Sequence, residues 1–172
     1  MPYRIRPQAT PSVRQAAFTL IELTVTLGVL AVLAAIAVPG YDSMVLNSRL
    51  RTYTTDFAAS AQFARSEAMK RSAPITLCSS SDGINCDAAA GWEQGWVMRT
   101  GSTVIRSYPS TKDGYRLSST VRELTFLPSG FGTTPLSLTI CRASPLGNQE
   151  RSLTLSVTGR VTIERTRTGS CS

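Results

Sequence analysis

The sequence contains no histidine. Ser-His and Cys-His nucleophile pairs and imidazole metal sites are therefore absent, because each needs a ring nitrogen as base or ligand. The four cysteines, at positions 78, 86, 141 and 171, form no C-x-x-C pair, which argues against zinc. There is no G-x-x-x-x-G-K-[ST] phosphate loop and no G-x-S-x-G elbow. Acids are scarce, with 11 Asp and Glu against 18 Lys and Arg, and nothing marks a pair of carboxylates for acid/base work. Asp82, Asn85 and Asp87 are a local set of oxygen donors, but their spacing misses a calcium loop and reads as a solvated turn. No catalytic residues, cofactor, metal or small-molecule substrate are expected.

What the chain does have is a long apolar run, Ala17 to Pro39, which begins Ala-Phe-Thr-Leu-Ile-Glu-Leu. As a helix at about 1.5 Å per residue, Phe18 to Val38 rises about 31 Å, enough to cross a hydrocarbon core of about 30 Å. Its one charge is Glu22. An ionised carboxylate in hydrocarbon costs several kcal/mol unless paired, so Glu22 marks a functional position that needs a partner. Residues 1–17 carry Arg4, Arg6 and Arg14, together with Pro2, Pro7 and Pro11, and no acid; they read as a basic leader without a fold. A positive leader keeps its end of the span in the cytoplasm and sends the other end across the membrane. Losing it lowers the net charge from +7 to +4, because three arginines go with it.

In this order, a basic leader, a small residue, Phe18-Thr19-Leu20-Ile21-Glu22-Leu23 and an apolar helix resemble the class III signal of type IV pilins and type II secretion pseudopilins. The resemblance implies cleavage between Ala17 and Phe18 by prepilin peptidase, then N-methylation of Phe18. Ala17 stands where that family usually has glycine. The resemblance also implies that Glu22 neutralises the N-terminal amine of a neighbouring subunit as helices stack into a filament, which supplies the missing partner. Two other readings compete. One is a plain signal anchor. The other is a conventional signal peptide cut after Ala35-Ile36-Ala37, against which the internal charge and the length of the run both argue.

Past Pro39 and Gly40, apolar residues Leu46, Leu50, Tyr53, Phe57, Ala61, Ala64 and Ala68 recur at helical spacing, with Arg49, Arg51, Gln62, Arg65, Glu67 and Lys70 between them. The pattern predicts an amphipathic helix, kinked or locally melted at Pro39 and ending near Ser72, before Pro74. The period then changes. Short alternating runs occur at Ile75–Leu77, Trp96–Met98, Thr103–Ile105, Glu123–Phe126, Leu136–Ile140, Leu153–Val157 and Val161–Ile163, separated by turns such as Asp113-Gly114 and Thr158-Gly159. They predict half-buried antiparallel strands covering the helical stripe, an α+β fold. Trp92 and Trp96 read as a buried pair rather than an exposed platform. In an extracytoplasmic compartment the four cysteines are expected to pair; several connectivities are open, and sequence proximity favours Cys78 with Cys86 and Cys141 with Cys171.

That order of elements resembles the pilin fold. Leu124-Thr125-Phe126-Leu127-Pro128-Ser129-Gly130, the Leu153 to Val157 strand and Gly159-Arg160-Val161 resemble the C-terminal signature of the GspH/FimT group. The implied domains are a cleaved leader over 1–17, a transmembrane and filament-core helix over 18–39, and an extracytoplasmic pilin-like domain over 40–172. The implied function is that of a non-catalytic minor pilin of a type IV pilus, concerned with assembly initiation at the tip and twitching motility, with the H-type minor pseudopilin of type II secretion as the alternative. Implied partners are other pilins or pseudopilins, prepilin peptidase and the inner membrane. The chain would start as a single-pass inner-membrane protein with a periplasmic domain, then move to the pilus surface. Some FimT-type pilins bind DNA through Gly-Arg-x-Arg; here Gly159-Arg160-Val161-Thr162 lacks the second arginine. Arg165 and Arg167 are candidate replacements, with Arg142 and Arg151 brought near them if Cys171 pairs with Cys141, and a solvated face or subunit contact is the plainer reading.

Overall fold

The structure, a computed structural model, describes residues 18–167 and Cys171. The chain divides into two units, Met1–Gly40 and Tyr41–Ser172. Helix α1 spans Leu20–Arg71. It starts where Thr19 caps it: the Glu22 amide donates to the Thr19 hydroxyl oxygen at 3.2 Å, satisfying one amide of the first turn. It ends in a Schellman motif, with Ser72 at φ 51°, its amide donating to the Met69 carbonyl and the Ala73 amide to Ala68. Pro74 follows and forbids another turn. Helix α1 runs through Pro39, so of the kink or local melting expected there the melting is not found.

In the second unit the predicted stripe is the buried face of α1. Leu46, Leu50, Phe57, Ala61, Ala64 and Ala68 are buried and Tyr53 half-buried. Its cover is two four-stranded antiparallel sheets, a division that alternation alone does not report. Strands β1 (Ile75–Ser79), β2 (Trp96–Thr100), β3 (Thr103–Tyr108) and β5 (Glu123–Phe126) form one sheet in the order β3-β2-β1-β5. Strands β4 (Tyr115–Ser118), β6 (Leu136–Arg142), β7 (Glu150–Leu155) and β8 (Val161–Thr166) form the other, in the order β4-β6-β7-β8. The sequence pattern does not mark β4, because Tyr115-Arg116-Leu117-Ser118 has no β-branched residue, unlike every run that it does mark. β7 begins earlier than expected and stops at Leu155, since the Gly159 amide donates back to the Ser156 carbonyl and turns the chain there.

Both sheets send their inward residues into one core with the stripe, among them Leu77, Met98 and Phe126 from the first and Leu117, Leu138 and Leu153 from the second. Phe57 meets Trp92 edge-on at 5.0 Å and Trp96 at 5.5 Å. Each indole nitrogen has an acceptor, the Val121 carbonyl for Trp92 and the Ser60 hydroxyl for Trp96, so burial of the pair leaves no polar atom stranded. Two loops are pinned to the helix by side chains on its wet face. Gln62 donates to the Gly159 carbonyl at 2.8 Å and Arg65 Nε to the Gly130 carbonyl at 2.9 Å. Gly159 has φ +80°, and a Cβ there would lie 2.8 Å from Arg65 Cδ, so only glycine fits this approach without strain.

Candidate functional site

The apolar half of α1 presents its side chains outward. Every described side chain from Phe18 to Ala37 is exposed, with Phe18 at 82 % and Leu20 at 80 %. The hydroxyls in this stretch turn back onto the helix, Thr24 donating to the Ile21 carbonyl and Thr26 to Leu23, both at 2.9 Å. Polar atoms are thus satisfied within the segment, as an apolar surrounding requires. Glu22 is the exception. Among the described residues its carboxylate takes no hydrogen bond and no ion pair within the chain. Phe18 lies just before the helix, and Ala17, the other half of the expected processing pair, lies outside the described residues.

Each cysteine is bonded, Cys78 to Cys86 and Cys141 to Cys171. The first ties β1 to the loop after it; the second ties the C-terminal segment to β6. Inside the first loop Asp82 accepts from the Ile84 and Asn85 amides, the Asn85 side chain and the Ser80 hydroxyl, so its carboxylate is occupied by the turn itself.

The C-terminal arginines do not form one group. Arg160 sits in the tight turn between β7 and β8, where its amide donates to the Ser156 hydroxyl oxygen. Arg165 is near the far end of β8, about 17 Å along the strand at about 3.4 Å per residue. The two also face opposite ways. Arg160 shares a groove with Thr154 and Thr162, whereas Arg165 shares one with Asn47, Arg51, Thr54, Thr55, Arg151 and Ile163. Arg167, exposed, follows β8.

Arg165 meets Arg151, as the sequence pattern suggests, and also Arg51, which no sequence pattern assigns to a site with it. The β7–β8 register places Arg151 directly opposite Arg165, and Arg51 approaches from the helix. Arg151 is only 8 % exposed. Its guanidinium donates to Asn47 Oδ1. Burial first, then the charges of Arg165 and Arg51, pull its pKa below the ordinary arginine value. Arg142 has a different role: it grips Asp42 with two hydrogen bonds of 2.9 and 2.8 Å, fastening β6 to the helix. That hydrogen bond lowers the Asp42 pKa and raises that of Arg142.

Comparison with known proteins gives the following. Residues 54–159 match the family described as type II transport protein GspH, and residues 13–38 match the prokaryotic N-terminal methylation motif. The fold is similar to that of the type IV minor pilin FimU of Pseudomonas aeruginosa, with 22 % identity, a TM-score of 0.55, and coverage of 67 % of this chain and 92 % of that one. A second crystal form of FimU gives 21 % identity, a TM-score of 0.54 and coverage of 69 % and 90 %. The minor pseudopilin EpsH from the type 2 secretion system of Vibrio cholerae is also similar, at 14 % identity and a TM-score of 0.49, over 67 % of this chain and 96 % of that one. No curated protein matches.

Proposed function

This chain belongs to the GspH family, the minor pilins and pseudopilins, and from that premise we propose that it is a non-catalytic minor pilin of a type IV pilus. The observation that carries the proposal is Glu22: a lone carboxylate, without a partner among the described residues, in an exposed apolar helix that matches the N-terminal methylation motif. In this reading prepilin peptidase cuts between Ala17 and Phe18, and the freed amine of Phe18 is methylated. The helix holds the subunit in the inner membrane with its sheet domain in the periplasm, then moves into the filament core. There Glu22 meets the amine of a neighbouring subunit, and the two charges relieve each other's desolvation. The preference for a pilus over the H-type pseudopilin of a type II secretion system leans on the Cys141–Cys171 clip.

Glu22→Ala is expected to leave the protein in the membrane while removing it from sheared surface filaments, as read by immunoblot. Normal incorporation of the alanine variant, or a mature N-terminus other than Phe18, overturns the reading. Loss of twitching on deleting the chain supports the pilus assignment, and loss of exoprotein secretion instead supports the pseudopilin.

A second reading, DNA binding during uptake, rests on the C-terminal arginines. The separation of Arg160 from Arg165 and Arg167 restricts it: a bound strand would follow one face of β8 or the other.

A further inference from the structure

Arg51, Arg151 and Arg165 line a groove of about 220 Å³ between α1 and the β7–β8 hairpin, and no carboxylate lines it with them. Among the described residues none of the three has an ion pair. The acids nearest in sequence do not line this groove. Glu164 alternates with Arg165 along β8 and takes the opposite face, Asp56 lines a separate groove with Arg106 and Tyr108, and Glu150 lines an adjoining groove at the end of the hairpin with Arg151, Arg165 and Arg167. Like charges directly opposite across a strand pair are unfavourable, and Arg151 and Arg165 are such a pair. Arg151 is also more than nine-tenths buried, with Asn47 Oδ1 holding its guanidinium.

A buried cation beside two more cations calls for an anion. The hydroxyls of Thr54 and Thr55 spend their protons on the Leu50 and Arg51 carbonyls, so the donors left to the groove are the guanidiniums and the Asn47 amide. Guanidinium forks match planar or tetrahedral oxyanions, and a single carboxylate would neutralise only one of three charges. A phosphate, with close to two negative charges at neutral pH, balances more of them. We propose that this groove is a binding site for one phosphate group, held by Arg51, Arg151 and Arg165.

The test is calorimetric titration of inorganic phosphate into the full chain in non-ionic detergent micelles, with chloride at matched ionic strength as reference. Saturable binding near one per chain is expected, weakened about tenfold or more in both Arg165→Gln and Arg51→Gln, which are exposed and so leave folding intact, and unchanged in Arg160→Gln. Repeating the titration in micelles doped with phosphatidic acid, whose headgroup is a phosphate monoester, separates the sources. Loss of the free-phosphate signal assigns the site to a lipid headgroup, and its persistence assigns it to a soluble phosphate. No saturable heat, equal weakening in Arg160→Gln, or tighter binding of an acidic peptide than of phosphate overturns the proposal.

Discussion

Asp82 is held by the turn around it, and its hydrogen bonds have a pH signature. The Asn85 amide above all, then the Ile84 amide, the Asn85 side chain and the Ser80 hydroxyl, hold its pKa well below the ordinary 3.8. Asp42, gripped by Arg142, moves the same way. A depressed carboxylate gives stability that is complete above its unfolded pKa, near 4, and lost as the pH falls through its folded pKa. Urea denaturation from pH 6 down to pH 2 should therefore show stability falling below about pH 4. Asp82→Ala is expected to lower the neutral plateau and flatten that acid limb. An acid limb unchanged by the substitution would mean other groups carry it. Both carboxylates are exposed, so their shares are screened by water, and that of the Asp42–Arg142 ion pair should shrink further at high ionic strength.

Among the elements, the disulfides differ in what they close. Cys141–Cys171 spans a separation of 30 residues and Cys78–Cys86 one of 8. If a crosslink acts by restricting the unfolded chain, replacing the first pair with serine costs about 3 to 4 kcal/mol and the second about 2 to 3. Thermal denaturation of the two double variants should rank them in that order, and the reverse order would sink the loop-length account. The helix was legible in the sequence to within a residue of its end, because Leu46 to Ala68 repeat at the period that builds one face and Pro74 stops it. The strands were legible wherever alternation came with a β-branched residue, which left out β4. Their division into two sheets was not, since alternation says that one side is buried and is silent on what covers it. The arginine groove was half legible. Arg151 and Arg165 stand equally far from Thr158, so the hairpin turn alone predicts that they meet. The arrival of Arg51 depends on how the helix packs, and no local pattern encodes that.

For the whole molecule, the two faces of β8 make the DNA reading sharply testable. Removing one phosphate-binding arginine should reduce the slope of log affinity against log salt by about 0.7 to 0.9. A strand lying on one face should therefore show that change in Arg160→Ala or in Arg165→Ala, but not in both. A slope unchanged in both variants would dismiss DNA as a ligand of these residues. Apart from any ligand, the attachment of the domain to its helix has a mechanical consequence. Gln62 and Arg65 are neighbours on one helix face, yet they hold carbonyls at Gly159 and Gly130, in different loops. A force pulling along the helix axis meets these bonds in parallel and loads them in shear, together with the interlocked side chains beneath. Tension along the helix therefore cannot peel the head away strand by strand, because these two rivets share the load with the Arg142–Asp42 grip and the packed core.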